Sequence, residues 1–182
     1  IDGTWKYAIV DIAGAASIDY DDTAWPTMNL PQARGSYYQL HRQPIAWFRR
    51  VITLPEPLRR GPGPLGLALG PLTGAAEIYV NGQRIGQRGK LPPQPHDSLE
   101  FESVHLIPRQ LISADGRLLL SLRTWQSERQ RAKWSGTTVR LWPGTNVIGP
   151  PNTVLAKAEY ARLVEAKLTT PESWRSTAAE AG

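Results

Sequence analysis

Asn81 and Gly82 sit between two short alternating segments, and this pair constrains the fold more than any other stretch of the chain. From Ala75 to Val80 the residues alternate, with Ile78 and Val80 on one face and Glu77 and Tyr79 on the other. A second piece, Gln83 to Gly86, centres on Ile85. Asn-Gly between two such pieces predicts a tight hairpin, because both residues tolerate the positive φ of a type I′ turn. Antiparallel strands joined this closely belong to a sheet built by local pairing. Asn81 and Gly82 are therefore read as structural turn residues rather than ligand contacts.

The rest of the chain reads the same way up to residue 151. Candidate strands are Trp5–Val10, Ala46–Thr53, Gly66–Leu69, Ala75–Val80, Ser103–Leu106, Arg117–Thr124 and Thr138–Trp142, each near Gly, Pro, Asp or Asn. The chain of 182 residues carries 16 Gly and 16 Pro, a frequency that favours many turns between short strands over long helices. The run "RLLLSLRTW" has too many adjacent apolar residues for one buried face and fits a central strand covered on both sides. About eight strands in this arrangement make an all-β sandwich or jelly roll. Helix within the first 150 residues is expected only as short turns. The segment "RRGPGPLG" is broken by proline and reads as a loop.

The C-terminal part differs. Between Asn152 and Leu168, the residues Val154, Leu155, Ala158, Ala161, Val164 and Leu168 recur at helical spacing. Residues 152–182 are read as a helical extension or linker following a β domain of residues 1–151. The apolar stripe needs a partner. Three candidates present themselves: the sandwich itself, a second copy of the helix in a homodimer, or a downstream membrane module.

Several catalytic and binding classes find no footing in the sequence. No cysteine is present, which excludes a disulfide framework, a thiol nucleophile and a Cys zinc site. The net charge of +5 is spread rather than blocked, and no recognition helix or aromatic signature points to nucleic acid. His41, His96 and His105 show no paired metal-ligand spacing and suit surface or hydrogen-bonding roles. Asp19, Asp21 and Asp22 form the densest acidic cluster, read as a structural turn, with calcium as the alternative. No cofactor is expected, and no catalysis.

Aromatic residues are more informative. Seven Trp against two Phe is an unusual ratio. Trp125, Trp134 and Trp142 share their region with Arg123, Arg129, Arg131, Lys133 and Arg140. A tryptophan face stacks on the C–H face of a sugar while arginine bonds its hydroxyls, so a small polar ligand, a saccharide, is expected. The candidate ligand-binding residues are Trp125, Arg123 and Trp134, joined from another strand by Trp47 and Arg49. Trp5, Trp25 and Trp47 are also read as core residues.

"DYDDTAWPTMNLP" (Asp19–Pro31), "AWFRRVITLP" (Ala46–Pro55), "AEIYVNGQRIG" and "DGRLLLSLRTW" follow one another in an order and spacing that resemble the sugar-binding domain of family-two glycoside hydrolases. That resemblance spans Asp19 to Trp125 and implies a galactose-binding-like jelly-roll β-sandwich. The same fold is similar to extracytoplasmic sensor domains of bacterial seven-transmembrane signalling receptors. After Trp125 the chain departs from the glycosidase pattern and ends in the helical segment. The resemblance then implies a non-catalytic, extracytoplasmic (periplasmic) carbohydrate sensor domain, membrane-anchored in its full-length protein. The alternative is an accessory sugar-binding domain of a family-two-like glycoside hydrolase.

Overall fold

The computed structural model describes residues 3–30, 45–61, 63–70, 74–98, 103–126 and 139–143. They form an antiparallel all-β sandwich. The strands are β1 (Gly3–Ala8), β2 (Thr27–Leu30), β3 (Ile45–Thr53), β4 (Leu65–Leu69), β5 (Ala75–Val80), β6 (Gln83–Arg88), β7 (Ser103–Ile107), β8 (Arg117–Trp125) and β9 (Val139–Pro143). One sheet has six strands in the order β2-β1-β3-β8-β5-β6, and the other has three in the order β7-β4-β9. The only α-helix among the described residues is the single turn α1 (Glu56–Arg60), accompanied by a 3-10 turn at Arg109–Leu111. None of the described helices is long and apolar enough to cross a membrane. The expected helix from Asn152 to Leu168 lies outside the described residues.

Alternation along the strands explains the core. Phe48, Leu122 and Ile78 are cross-strand neighbours on β3, β8 and β5, as are Ala46, Thr124 and Ala76 in the next row. With Trp5 from β1 they face Leu65, Leu67 and Leu69 of β4 and Ile107 of β7 across one shared cluster. Leu58, Leu111 and Ile112 close one end of it. The "RLLLSLRTW" run is indeed central: β8 pairs with β3 over its whole length and with β5 on its other edge. Its inward residues Leu118, Leu120 and Leu122 are 1–3 % exposed, and its outward Leu119 and Ser121 are 4 % and 0 %.

The Asn81–Gly82 turn has φ values of 48° and 82°, as a type I′ hairpin requires. Asn81 also does more than turn the chain. Its Nδ2 donates to Leu111 O at 2.7 Å, and its Oδ1 accepts from Leu119 N at 2.7 Å. The hairpin tip is thereby tied to β8 and to the 3-10 turn.

Two details differ from expectation. The first strand lies at Gly3–Ala8 rather than Trp5–Val10, and Val10 is 53 % exposed beyond it. β2 was not anticipated, because "TMNL" alternates polar and apolar residues over only four positions and follows Pro26. As an edge strand it needs only one partner, and Tyr7 N donating to Pro26 O at 3.0 Å starts the pairing with β1.

His105 stands where the two sheets come together. It is 6 % exposed, and Ser103 Oγ lies 3.0 Å from its Nε2. A Cβ added at Gly86 of β6 would fall 2.1 Å from its Nδ1, so only glycine fits opposite it. Burial, and then the charge of Arg88, push its pKa down to about 4. The native state thus binds fewer protons than the unfolded chain between pH 4 and about 6.5. Stability is complete above that window and falls as pH drops through it, by about 3 kcal/mol in all. Urea unfolding at a series of pH values should show this loss, and His105→Gln should flatten it. A profile that is flat from pH 7 to 4 in the unmodified chain would contradict the buried neutral imidazole.

Candidate functional site

The outer face of the six-stranded sheet carries a row of polar and aromatic side chains. Trp47, Arg49 and Val51 of β3 point away from the core, as do Leu119, Ser121, Arg123 and Trp125 of β8 and Glu77 and Tyr79 of β5. The segment from Ile9 to Pro26, between β1 and β2, crosses this face as a strap. Ala15, in the middle of the strap, is fully buried.

Arg49 anchors the strap and is 3 % exposed. Its Nη1 donates to Ala15 O at 2.5 Å and its Nη2 to Tyr20 O at 3.4 Å. Its Nε lies 2.9 Å from Asp22 Oδ2, an ion pair in which the N–H is not aligned for a hydrogen bond. Lys6 Nζ holds the other Asp22 oxygen at 2.7 Å. The guanidinium also lies over the Tyr20 and Trp25 rings, 5.3 and 5.9 Å from their centroids. Those rings pack against each other with centroids 5.5 Å apart. A buried cation is tolerable only with such compensation.

Arg123 forms the second anchor. Its Nε and Nη2 grip Asp11 in a two-pronged contact at 2.8 and 2.6 Å, and its Nη1 donates to Glu77 at 3.0 Å. Glu77 also accepts from Arg84 at 3.2 Å and from the Tyr79 hydroxyl at 2.9 Å. The hydrogen bonds from Arg123 hold the Asp11 carboxyl below the ordinary carboxylate value, and those to Asp11 raise the pKa of Arg123 itself. Burial, reinforced by Glu77, pushes the Tyr79 phenol up to about 12. Asp11, Arg123 and Tyr79 therefore keep one charge state across the physiological range. Trp47 packs against Tyr79 with ring centroids 5.7 Å apart.

The structure therefore places four of the five expected ligand-binding residues on one face of the sheet. Trp47 is the direct cross-strand partner of Arg123, and Arg49 lies two residues along β3. Trp125 shares their face at the end of β8 and is half-buried. Trp134 lies outside the described residues, as does His41. The expectation of direct ligand contact by Trp47 and Arg49 meets a covered face: at 4 % and 3 % exposure they serve the strap. In the acidic cluster, Asp21 caps its own turn through Thr23 N and Oγ1 at 3.0 and 2.7 Å, while Asp22 is the partner of Arg49 and Lys6. No group of three potential metal ligands occurs among the described residues.

Sequence reading missed Asp11 and Glu77. The signal was present in "RLLLSLRTW": Arg123 falls on the same face as the buried Ser121, so its charge needed a carboxylate from a neighbouring strand or covering loop. Glu77, on the outward face of β5, was one such candidate.

No protein-family model matches the chain, and no curated protein matches it in sequence. Solved structures do match in fold. A calcium-binding mutant of Bacteroides uniformis beta-glucuronidase 2 superimposes with a TM-score of 0.53 at 24 % identity, over 71 % of this chain and 14 % of that one. A glycosyl hydrolase family 2 member from Bacteroides cellulosilyticus gives 0.55 at 17 % identity, over 78 % and 20 %. Bifidobacterium dentium beta-glucuronidase complexed with coumarin-3-O-glucuronide gives 0.50 at 20 % identity, over 69 % and 19 %. The chain thus shares its sandwich with a fifth or less of the length of these hydrolases.

The strap makes two substitutions diverge. Asp22→Asn leaves Arg49 buried without its counter-ion and should cost roughly 2–4 kcal/mol. Ser121→Ala removes a fully buried hydroxyl that has no hydrogen-bond partner among the described residues, and should be neutral or stabilising by up to about 1 kcal/mol. Urea denaturation of both variants checks the pair. A neutral Asp22→Asn would show that the strap is not held by this contact.

Proposed function

We propose that this chain is a non-catalytic, carbohydrate-binding sandwich that serves as an accessory domain of a family-two-like glycoside hydrolase. The observation that carries the reading is the fold likeness to a small portion of three such enzymes. The ordered motifs at Asp19–Pro31, Ala46–Pro55, Ala75–Gly86 and Asp115–Trp125 support it, since each has a distinct structural part in this sandwich. The first supplies Asp22 and Trp25 of the strap. The second is β3, the third is the β5–β6 hairpin, and the fourth is β8.

The carboxylates of the described sandwich suit this role. Glycoside hydrolysis needs a pair of acids across an open site, one of them with a raised pKa. Asp11, Asp21 and Asp115 are all held below the ordinary carboxylate value, by Arg123, Thr23 and Ser113 respectively. Asp11, Asp22 and Glu77 are further engaged by Arg123, by Arg49 and Lys6, and by Arg84.

With Trp47 and Arg49 under the strap, contact with a saccharide falls to the end of the row, at Trp125, with Trp134 following it in the chain. Arg123 is held by Asp11 and Glu77 behind that tryptophan. The expectation of an extracytoplasmic sensor domain, with a membrane module and a helix-mediated homodimer, draws no support from the three hydrolases.

Tryptophan fluorescence titration of the chain against neutral sugars and glucuronic acid tests this reading. A saturable change is expected with at least one saccharide, and Trp125→Ala should weaken it tenfold or more without altering the unfolding transition. Binding that persists unchanged in Trp125→Ala would relocate the site. Hydrolysis of a chromogenic glycoside by the purified chain, lost on changing one aspartate, would overturn the non-catalytic assignment.

A further inference from the structure

At the far end of the sandwich from Trp125, the last turn of α1 and the 3-10 turn enclose an open cleft of about 340 Å³ lined by Arg59, Arg60, Arg109, Ile112, Ser113 and Ala114. That volume is at the small end of ligand sites and suits a single small molecule. The two ends are well separated. Thr53 pairs with Arg117 at the end near the cleft, and Ile45 pairs with Trp125 at the other. The nine-residue pairing between them spans roughly 26 Å.

Three of the six lining residues are arginines, and their charges are poorly balanced. Glu56 is the only carboxylate in ion-pair range among the described residues, 3.1 Å from Arg60 and 4.0 Å from Arg59. Arg109 has no carboxylate partner among them. Its Nε and Nη1 donate to the carbonyls of Gly63, Leu58 and Arg59, which fixes the guanidinium at the end of α1, and its Nη2 has no acceptor among the described residues. Arg59 Nη1 donates to Ala114 O at 3.3 Å, so that side chain is also held in place. Asp115, beside the cleft, accepts instead from Ser113 Oγ and Arg117 N. The concave wall therefore holds three guanidinium charges against one carboxylate. Two of the three are held by backbone carbonyls, and Arg60 remains 72 % exposed.

We propose that this cleft binds an oxyanion, the carboxylate or sulfate group of a small ligand, through Arg59 and Arg60, with Arg109 as a fixed charge behind them. Planar guanidinium donors match such groups in geometry as well as charge. Fixed donors also lose little freedom on binding. The ligand chemistry could come from an acidic saccharide or from a free inorganic ion. This inference does not rest on the saccharide site at Trp125, and either can fail alone.

Nuclear magnetic resonance titration of the isotope-labelled chain at constant ionic strength, with sodium sulfate, sodium glucuronate and glucose as separate probes, tests it. The Nε–H signals of Arg59 and Arg60 and the amides of Ser113 and Ala114 should shift saturably with sulfate or glucuronate and not with glucose. Tighter binding of glucuronate identifies a sugar acid as the source, and sulfate alone a small free ion; each supports an oxyanion site. Arg59→Gln with Arg60→Gln should weaken the response fivefold or more while leaving the melting temperature unchanged. Arg60→Glu, which changes an exposed side chain, should abolish it. Shifts that fail to saturate, that spread over arginines elsewhere in the chain, or that survive both changes would overturn the proposal.

Discussion

Burial of β8 from both sides is the constraint on which the rest of this structure depends. A strand whose inward leucines and outward Leu119 and Ser121 are all hidden cannot be satisfied by one opposing sheet. The three-stranded sheet covers the inner face. The outer face needs a second cover, and the strap from Ile9 to Pro26 supplies it. The strap leaves Val10 and Ile18 at 53 % and 60 % exposure, so apolar burial alone does not hold it. Arg49 and Arg123, projecting from the sheet, hold it through Asp22 and Asp11.

This arrangement also determines what the outer face can do chemically. Arginines and tryptophans on a sheet suggest a carbohydrate platform, and here most of that inventory is spent on architecture. Charge-assisted hydrogen bonds in a partly buried setting are strong and directional, and breaking one leaves an uncompensated charge. On the proposed reading, recognition falls to the ends of the sandwich. Trp125 closes one end, and the arginine-lined cleft beside α1 occupies the other. Ends rather than faces are where loops can vary without disturbing the strand register.

Much of the fold was legible in the sequence, for physical reasons that differ by element. The Asn81–Gly82 turn was readable because positive φ is restricted to few residues. β8 was readable because a double-sided apolar run has few alternatives. β2 was not, since an edge strand of four residues carries little hydrophobic pattern of its own. The site was harder. Arg49, Trp47 and Arg123 share one face of the sheet, but one residue type serves both ligand binding and buried ion pairing. Only the position of the strap separates those uses, and that position depends on long-range contacts such as Asp11 with Arg123, 112 residues apart. The cleft was illegible for the same reason, because Arg59 and Arg109 meet only through the folded core.

Native-state amide hydrogen exchange tests the double coverage of β8 most directly. If the strap is an integral cover, amides of β3 and β8 around Trp47, Arg49, Ser121 and Arg123 should exchange only through global unfolding, with the same free energy as the amides of the inner core. The strap amide of Ala15, fully buried, should share that protection. Exchange at Ala15 and at these outer-face positions through an opening several kcal/mol below global unfolding would show that the strap lifts independently, and that the face beneath it is not part of the core.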